Sequence, residues 1–195
     1  MAQSSDPIEL YEAAVQGFRQ TLSGVKPDQM QGSTPCTEWT VQNLIVHNLK
    51  VFGFAEGVLQ ENITVNSMEV GGAIPGGDSV KALDDGVAKV LEILKAAGSA
   101  DTGISTPFGD MTRGQFMINP TWDLLVHRWD LAKATGQNTE LDQGLVEYVY
   151  NMLSPMADGM REMEFGGQHI VGARVAVPDS ASLQDKLLGA FGRQP

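Results

Sequence analysis

Residues 120–137 read PTWDLLVHRWDLAKATGQ, and this stretch decides the fold because it predicts a long helix that faces a core yet carries ionisable side chains. Pro120 is favoured in the first turn of a helix, Asn119 before it is a good N-cap, and Gly136 is a common residue just past a helix end. Leu, Val, Ala and Trp fill most of the turns between them. We therefore expect this helix to pack against other helices.

Three ionisable residues follow one another along this helix. Asp123 lies four residues before His127, and Asp130 lies three residues after it. Residues three or four apart are neighbours on a helix surface, so the side chains of Asp123 and His127 can converge on one point that could hold a metal ion. The alternative is a carboxylate that simply satisfies a partly buried histidine. Because a catalytic zinc usually has three protein ligands, a metal site needs a third residue from elsewhere.

The rest of the chain predicts an all-α protein. Thr40 is expected to cap the second helix, and Pro155 to kink or break the fifth. Four long helices with connections of mixed length indicate a four-helix bundle, residues 1–165, with a C-terminal extension, residues 166–195, packed on it. Apart from the stretch quoted above, apolar residues recur at helical spacing in residues 7–23, 41–60, 78–98 and 142–163, and a short helix is expected over residues 180–191.

Two connections differ from the short loops of a simple bundle. Residues 61–77 are rich in Gly and Pro and predict a long surface loop, whereas residues 104–116 predict an extended segment, either a short strand or a hairpin. Long connections in compact domains usually serve a site. We expect both segments to lie at one end of the bundle and to border its pocket.

Composition limits the classes of function. The net charge of -11, from 24 acidic and 13 basic residues, disfavours binding to nucleic acids and to anionic membrane surfaces. No apolar run approaches the roughly 20 residues of a membrane-spanning helix, and the N-terminal MAQSSDPIEL lacks a secretion signal, so we expect a cytoplasmic protein. The single cysteine, Cys36, excludes an internal disulfide and a cysteine-based zinc cluster, and we expect it to be a small packing residue. The oligomeric state stays open.

His47 is the candidate third ligand. It lies in the predicted second helix, on the side expected to face the core, and metal sites in bundles are built from facing side chains. A packed, hydrogen-bonded core histidine is the alternative. His169 follows two glycines in irregular chain, and we place it outside the site. Two imidazoles and a carboxylate suit Zn²⁺ best, and Asp130 would orient His127 or bind substrate unless it is a solvated residue paired with a neighbouring cation.

Three stretches of the chain carry a resemblance to a known family. STPCTEWTVQNLIVHNL, LLVHRWDLAKATGQ and VAVPDSASLQDKLLGAFGRQP resemble the DinB-like four-helix bundles related to the metal-binding N-terminal domain of mycothiol-dependent maleylpyruvate isomerase. The resemblance covers nearly the whole chain, and it implies one metal ligand at His47 and a carboxylate–histidine pair at Asp123 and His127. The family usually carries Glu where this chain has Asp123, and the shorter side chain reaches less far from the helix axis.

The resemblance also implies a function. It points to a divalent-metal-binding protein that uses mycothiol, or another low-molecular-weight thiol, as co-substrate for isomerisation of, or S-transfer to, a small electrophilic molecule. Bound cations favour the thiolate, which is the nucleophilic form of a thiol. Two other functions stay open: a non-catalytic bundle that binds a ligand or metal, and a metallohydrolase in which activated water replaces the thiol.

Overall fold

The computed structural model describes residues 6–96, 98–165 and 167–195, and within them the chain is mainly helical. Four long helices come first, with one short helix between the third and the fourth. They are α1 (Pro7–Ser23), α2 (Val41–Leu59), α3 (Ser79–Lys95), the short α4 (Arg113–Phe116) and α5 (Ile118–Thr135).

Capping side chains explain where the first three long helices begin. Asp6 accepts a hydrogen bond from the backbone N–H of Ile8, and Thr40 accepts one from that of Asn43. Asp78 caps α3 in the same way. Each bond satisfies a backbone donor that has no partner within the first helical turn. The predicted cap at Thr40 is confirmed, whereas α3 ends at Lys95 and not at Gly98 as predicted.

The helix that contains the decisive stretch begins earlier than predicted. Thr112 caps α4 through the N–H of Gln115, and the chain passes through Met117 directly into α5. Asn119 therefore lies inside α5, and the prediction that it caps this helix is wrong. The predicted end is confirmed, because Gly136 terminates the helix with φ 69° and ψ 28°, a left-handed conformation that favours glycine.

The four long helices form a closed arrangement around one core. Helix α1 contacts α5 and α3, and α2 contacts the same two helices. The largest fully buried side chains come from several of these elements and include Tyr11, Phe18, Phe52, Phe116 and Leu44. The predicted all-α four-helix bundle is confirmed.

Shorter elements complete the C-terminal part. Helix α6 (Gln143–Leu153) ends just before Pro155, a single turn follows at Ser154–Met156, and α7 (Ala157–Arg161) resumes the helical chain, so the predicted break is confirmed. Helix α8 (Leu183–Ala190) packs on α6. The predicted division between residues 165 and 166 remains a prediction, and residue 166 itself lies outside the described residues.

Two antiparallel hairpins interrupt the helices. The strands β1 (Gly103–Thr106) and β2 (Gly109–Thr112) pair with Gly103 opposite Thr112, which confirms the extended segment predicted there. The second hairpin, β3 (Glu164–Phe165) with β4 (Gln168–His169), was not predicted. Within the described residues, no helix is both long and apolar enough to cross a membrane.

Candidate metal centre

Two neighbouring helices of the bundle bring the three candidate ligands together. His47 lies on α2, and Asp123 and His127 lie one turn apart on α5. The Nε2 atom of His47 is 3.5 Å from Asp123 Oδ1 and 3.3 Å from Asp123 Oδ2, and the Nε2 atom of His127 is 3.6 Å from Asp123 Oδ1. The two imidazole centroids are 4.9 Å apart. Both imidazole Nε2 atoms therefore lie beside the same carboxylate.

The hydrogen bonds on the far sides of the two rings assign their tautomers. Nδ1 of His47 lies 2.8 Å from the backbone carbonyl oxygen of Ser67, which can only accept, so this nitrogen carries the hydrogen. Nδ1 of His127 lies 2.9 Å from Oδ2 of Asp130 and donates to that carboxylate. In a neutral imidazole the other nitrogen then carries a lone pair. Both Nε2 lone pairs consequently face the Asp123 carboxylate, which is itself an acceptor.

The separations fit ligands of one ion better than hydrogen bonds. Hydrogen bonds between a charged nitrogen and a carboxylate are about 2.7–2.9 Å long, shorter than any of the distances to Asp123. Ligand atoms about 2.0–2.1 Å from a tetrahedral zinc lie roughly 3.4 Å from each other. Asp123 Oδ2 is buried and has no hydrogen-bond partner among the described residues. The three side chains therefore present a donor set that a divalent cation would satisfy.

The shorter side chain at position 123 still reaches both imidazoles. Burial alone would raise the pKa of the Asp123 carboxyl, but His127 and His47, when they are protonated, hold that pKa below its ordinary value. The carboxylate is thus available as an anionic ligand at neutral pH.

Asp130 is buried and paired with a cation from the C-terminal segment. Its side chain is 0% exposed, and Nη2 of Arg193 lies 2.7 Å from its Oδ2, while Nε of Arg193 lies 3.2 Å from each oxygen. Burial alone would raise the pKa of Asp130, but Arg193 and the hydrogen bond from His127 hold that pKa well below the usual range. The alternative of a solvated residue paired with a neighbouring cation is wrong, because the partner is 63 residues away.

Cys36 lies in the same group of side chains. Its sulfur is 3.3 Å from Asp130 Oδ2, 3.2 Å from Nη2 of Arg193 and 3.9 Å from Nδ1 of His127. Burial raises the pKa of the Cys36 thiol to about 12, so it stays protonated and is a poor nucleophile. Cys36, His127 and Asp130 are close enough to hold an ion, but the guanidinium of Arg193 already supplies the positive charge there. The group of His47, Asp123 and His127 is the better candidate.

Sequence reasoning missed two members of this centre. The ring centroid of Trp39 lies 4.7 Å from that of His47 and 5.8 Å from that of His127, and the Trp39 ring is stacked on the His127 ring. The sequence around Arg193 did not indicate that this residue lies near the candidate ligands. Each becomes visible only when the turn before α2 and the segment after α8 are folded onto α5.

An apolar cavity of about 500 Å³ adjoins the candidate ligands. His47 and Asp123 form part of its wall. The loop of residues 61–77 contributes Ser67 and Met68, and the segment of residues 104–116 contributes Phe108, among others. Both segments line this cavity, which confirms that they border a pocket beside the candidate ligands.

The third histidine lies outside this centre. His169 is exposed on β4, and its Nε2 atom is 3.8 Å from Oε1 of Glu164 on the neighbouring strand. It is a surface residue, as the sequence predicts.

Comparisons with known proteins give a family and uncharacterised relatives. The model of the family described as the mycothiol maleylpyruvate isomerase N-terminal domain matches residues 11–132. Two uncharacterised proteins, from two strains of Mycobacterium tuberculosis, are each 34% identical to the chain over 144 residues, which cover 72% of this chain and 73% of the relative. No solved structure gives a significant match. The matched family region contains all three candidate ligands.

Proposed function

Because the chain belongs to the family of the mycothiol maleylpyruvate isomerase N-terminal domain, we propose that it binds a divalent metal ion, zinc above all, through His47, Asp123 and His127. We propose further that it uses mycothiol, or another low-molecular-weight thiol, to isomerise a small electrophilic molecule or to transfer the thiol sulfur to it. The observation that carries the proposal is the pair of imidazole Nε2 atoms beside one carboxylate, with each ring held by a hydrogen bond at its Nδ1 atom.

Those far-side hydrogen bonds are of the kind that metal-binding histidines use. A ligating imidazole almost always donates its other N–H to a carboxylate or a backbone carbonyl, which fixes its orientation. Here Ser67 supplies the carbonyl for His47, and Asp130 supplies the carboxylate for His127. Arg193 holds Asp130 in turn. A bundle core that needed only packing would have no use for this chain of polar contacts.

The chemistry follows from the donor set and the cavity. An ion with three protein ligands keeps a coordination position open, and when bound it would favour the deprotonated form of an incoming thiol. In the isomerisation, the sulfur would bond to one carbon of an activated double bond, and the π electron pair would move into the conjugated acceptor. Rotation about the resulting single bond, followed by loss of the thiolate, restores the double bond without net change in atoms or electrons. The protonated Cys36 thiol does not compete for this role.

The residues of the chain would position the reactants. The ring of Trp39 covers one side of the two imidazoles. His47 and Asp123 border the apolar cavity, where the electrophile would lie beside the sulfur. Excluding water from such a site strengthens the electrostatic interactions inside it.

Titration of the metal-free full-length chain with Co²⁺ tests the proposal. We expect binding at micromolar concentration, and addition of 2-mercaptoethanol should then produce a sulfur-to-metal charge-transfer band. His127→Ala should abolish both signals, and Asp130→Asn should weaken metal binding about 10–100-fold by releasing the orientation of His127. His169→Ala is the matched control, because that imidazole is exposed and outside the site.

Each outcome of this titration selects a function. Metal binding without a thiol band would favour a metallohydrolase that uses activated water. No binding of Co²⁺ or Zn²⁺ at micromolar concentration, or equal binding by wild type and His127→Ala, would refute the proposal and leave a non-catalytic bundle.

A further inference from the structure

The cavity beside the candidate ligands has a composition that restricts what can enter it. Its volume of about 500 Å³ lies in the range of small-molecule sites. Five aromatic side chains line it, together with six of the chain's nine methionines. The methionines are Met68, Met111, Met152, Met156, Met160 and Met163.

The described residues that line the cavity include no lysine and no arginine. Asp110 and Asp123 among them are acidic. Basic residues do lie on several of the lining elements, but they are bonded elsewhere, as Arg161 of α7 is to the backbone carbonyl of Gly172. Lys50 donates to the backbone carbonyl of Gly71, and Arg113 donates to that of Leu59. A carboxylate in the cavity would therefore gain no ion pair with lysine or arginine to offset the water that it loses.

The methionine side chains in the wall also favour binding of ligands of several shapes over a fit to one shape. The methionine side chain is unbranched and polarisable, so it adapts to irregular partners and makes favourable contacts with aromatic rings. Met152 and Met156 are exposed at 51% and 57%, so at least two of the lining methionines also reach the surface. Among the described residues that line the cavity, the polar side chains besides the candidate ligands are those of Ser67, Asp110, Gln115 and Asn119.

From size, charge and wall chemistry we infer that the electrophile of this protein is a neutral, largely apolar molecule, aromatic or of similar bulk, and not a dicarboxylate. The inference deepens the proposed function and rests on it for the reaction, whereas the preference for a neutral ligand belongs to the cavity alone. One carboxylate of a dianion could approach a bound cation, but the second would face aromatic and methionine side chains or Asp110.

A matched pair of probes tests the preference. We would titrate the full-length, EDTA-treated chain calorimetrically with 2-naphthol and with 2-naphthoate at neutral pH, since the two differ chiefly in charge. We expect 2-naphthol to bind at least about tenfold more tightly, because burial of an unpaired carboxylate is costly. The absence of metal prevents a bound cation from attracting the naphthoate.

Two variants test whether the probe binds in the cavity. Met156→Lys adds a cation at an exposed lining position, so we expect 2-naphthoate to gain at least about threefold in affinity, through an attraction of the size found for exposed ion pairs. Leu183→Lys makes the same change at another exposed apolar residue, 38% exposed on α8 and outside the cavity lining, and should leave both affinities unchanged.

Several outcomes would overturn the inference. These are equal or tighter binding of 2-naphthoate by the wild type, no binding of either probe up to millimolar concentration, and 2-naphthol binding with no response of either probe to Met156→Lys. The Co²⁺ titration decides the proposed function separately. If the protein binds 2-naphthol selectively but binds no metal, the inference about the ligand stands and the proposed reaction is refuted.

Discussion

Replacement of Arg193 by methionine should destabilise the protein strongly, although Arg193 lies outside the four-helix bundle. The guanidinium makes three contacts with Asp130, at 2.7 Å and twice at 3.2 Å, and donates to the sulfur of Cys36. The Arg193 side chain is 13% exposed and that of Asp130 is 0% exposed. Methionine retains most of the apolar bulk and removes the charge, so the variant isolates the loss of the cation.

The size of the effect follows from what remains around the carboxylate. Without Arg193, Asp130 keeps the N–H of His127 and the S–H of Cys36 as partners, and its negative charge stays buried. Removing one member of a buried ion pair typically costs about 3–5 kcal/mol. Domains are stable by about 5–15 kcal/mol in total. At about 2–4 °C per kcal/mol for a chain of this size, we expect the melting temperature to fall by roughly 6–20 °C.

Urea unfolding followed by far-UV circular dichroism, with EDTA present so that metal binding does not contribute, measures this loss. Asp130→Asn combined with Arg193→Met should cost less than Arg193→Met alone, because no buried charge then remains. Arg174→Met is the control, since that side chain is 52% exposed and should change stability by no more than about 0.5 kcal/mol. A loss below about 1 kcal/mol for Arg193→Met, or additive effects in the double variant, would refute the buried-pair interpretation.

Three further predictions address the core, the helix ends and the ligand at position 123. The buried hydroxyl of Tyr11 has no hydrogen-bond partner among the described residues, so Tyr11→Phe should raise the free energy of unfolding by up to about 1 kcal/mol. Burial raises the pKa of Tyr11 above its ordinary value of 10.0. Above that pH the Tyr11 hydroxyl should therefore lower the free energy of unfolding of the wild type by up to about 1.4 kcal/mol per pH unit. Urea unfolding of Tyr11→Phe should show a weaker decline of stability with pH. In thermal unfolding, Gly136→Ala should destabilise the protein by about 1 kcal/mol because Gly136 has a positive φ. Gly17→Ala, inside α1 with open space around it, should stabilise the protein by a similar amount. Stability changes in the same direction for both variants would contradict this account. Asp123→Glu should leave the fold intact and keep or raise the affinity for Co²⁺ measured by titration, and a large loss of affinity would show that the site is built for the shorter side chain.

The helices could be predicted because their signals are local. The caps at Thr40 and Asp78 act within three residues, and the apolar repeat of each long helix lies within one continuous segment. The pair of Asp123 and His127 was visible for the same reason. The start of α5 was misjudged because Asn119 and Pro120 form a good local signal, but the cap at Thr112 begins helical chain seven residues earlier.

The surroundings of the candidate site could not be predicted in the same way. Arg193 and Asp130 are 63 residues apart, and Arg193 and Cys36 are 157 residues apart, so only the packing of the C-terminal segment on α5 brings them together. The hairpin of β3 and β4 has two residues in each strand, too few for a periodic pattern. An apolar residue such as Trp39 is common just before a helix. The neighbouring sequence does not indicate that its ring packs against two imidazoles.

The separation between Asp130 and Arg193 sets an order of events during synthesis. All four long helices of the bundle precede residue 136. A ribosome adds about 5–20 residues per second, so the 63 residues between the two partners take roughly 3–13 s to make. Helices and their contacts form far faster than that. The nascent bundle therefore has time to close while the carboxylate still lacks its guanidinium, and the orientation of His127 is completed only when the segment after α8 arrives.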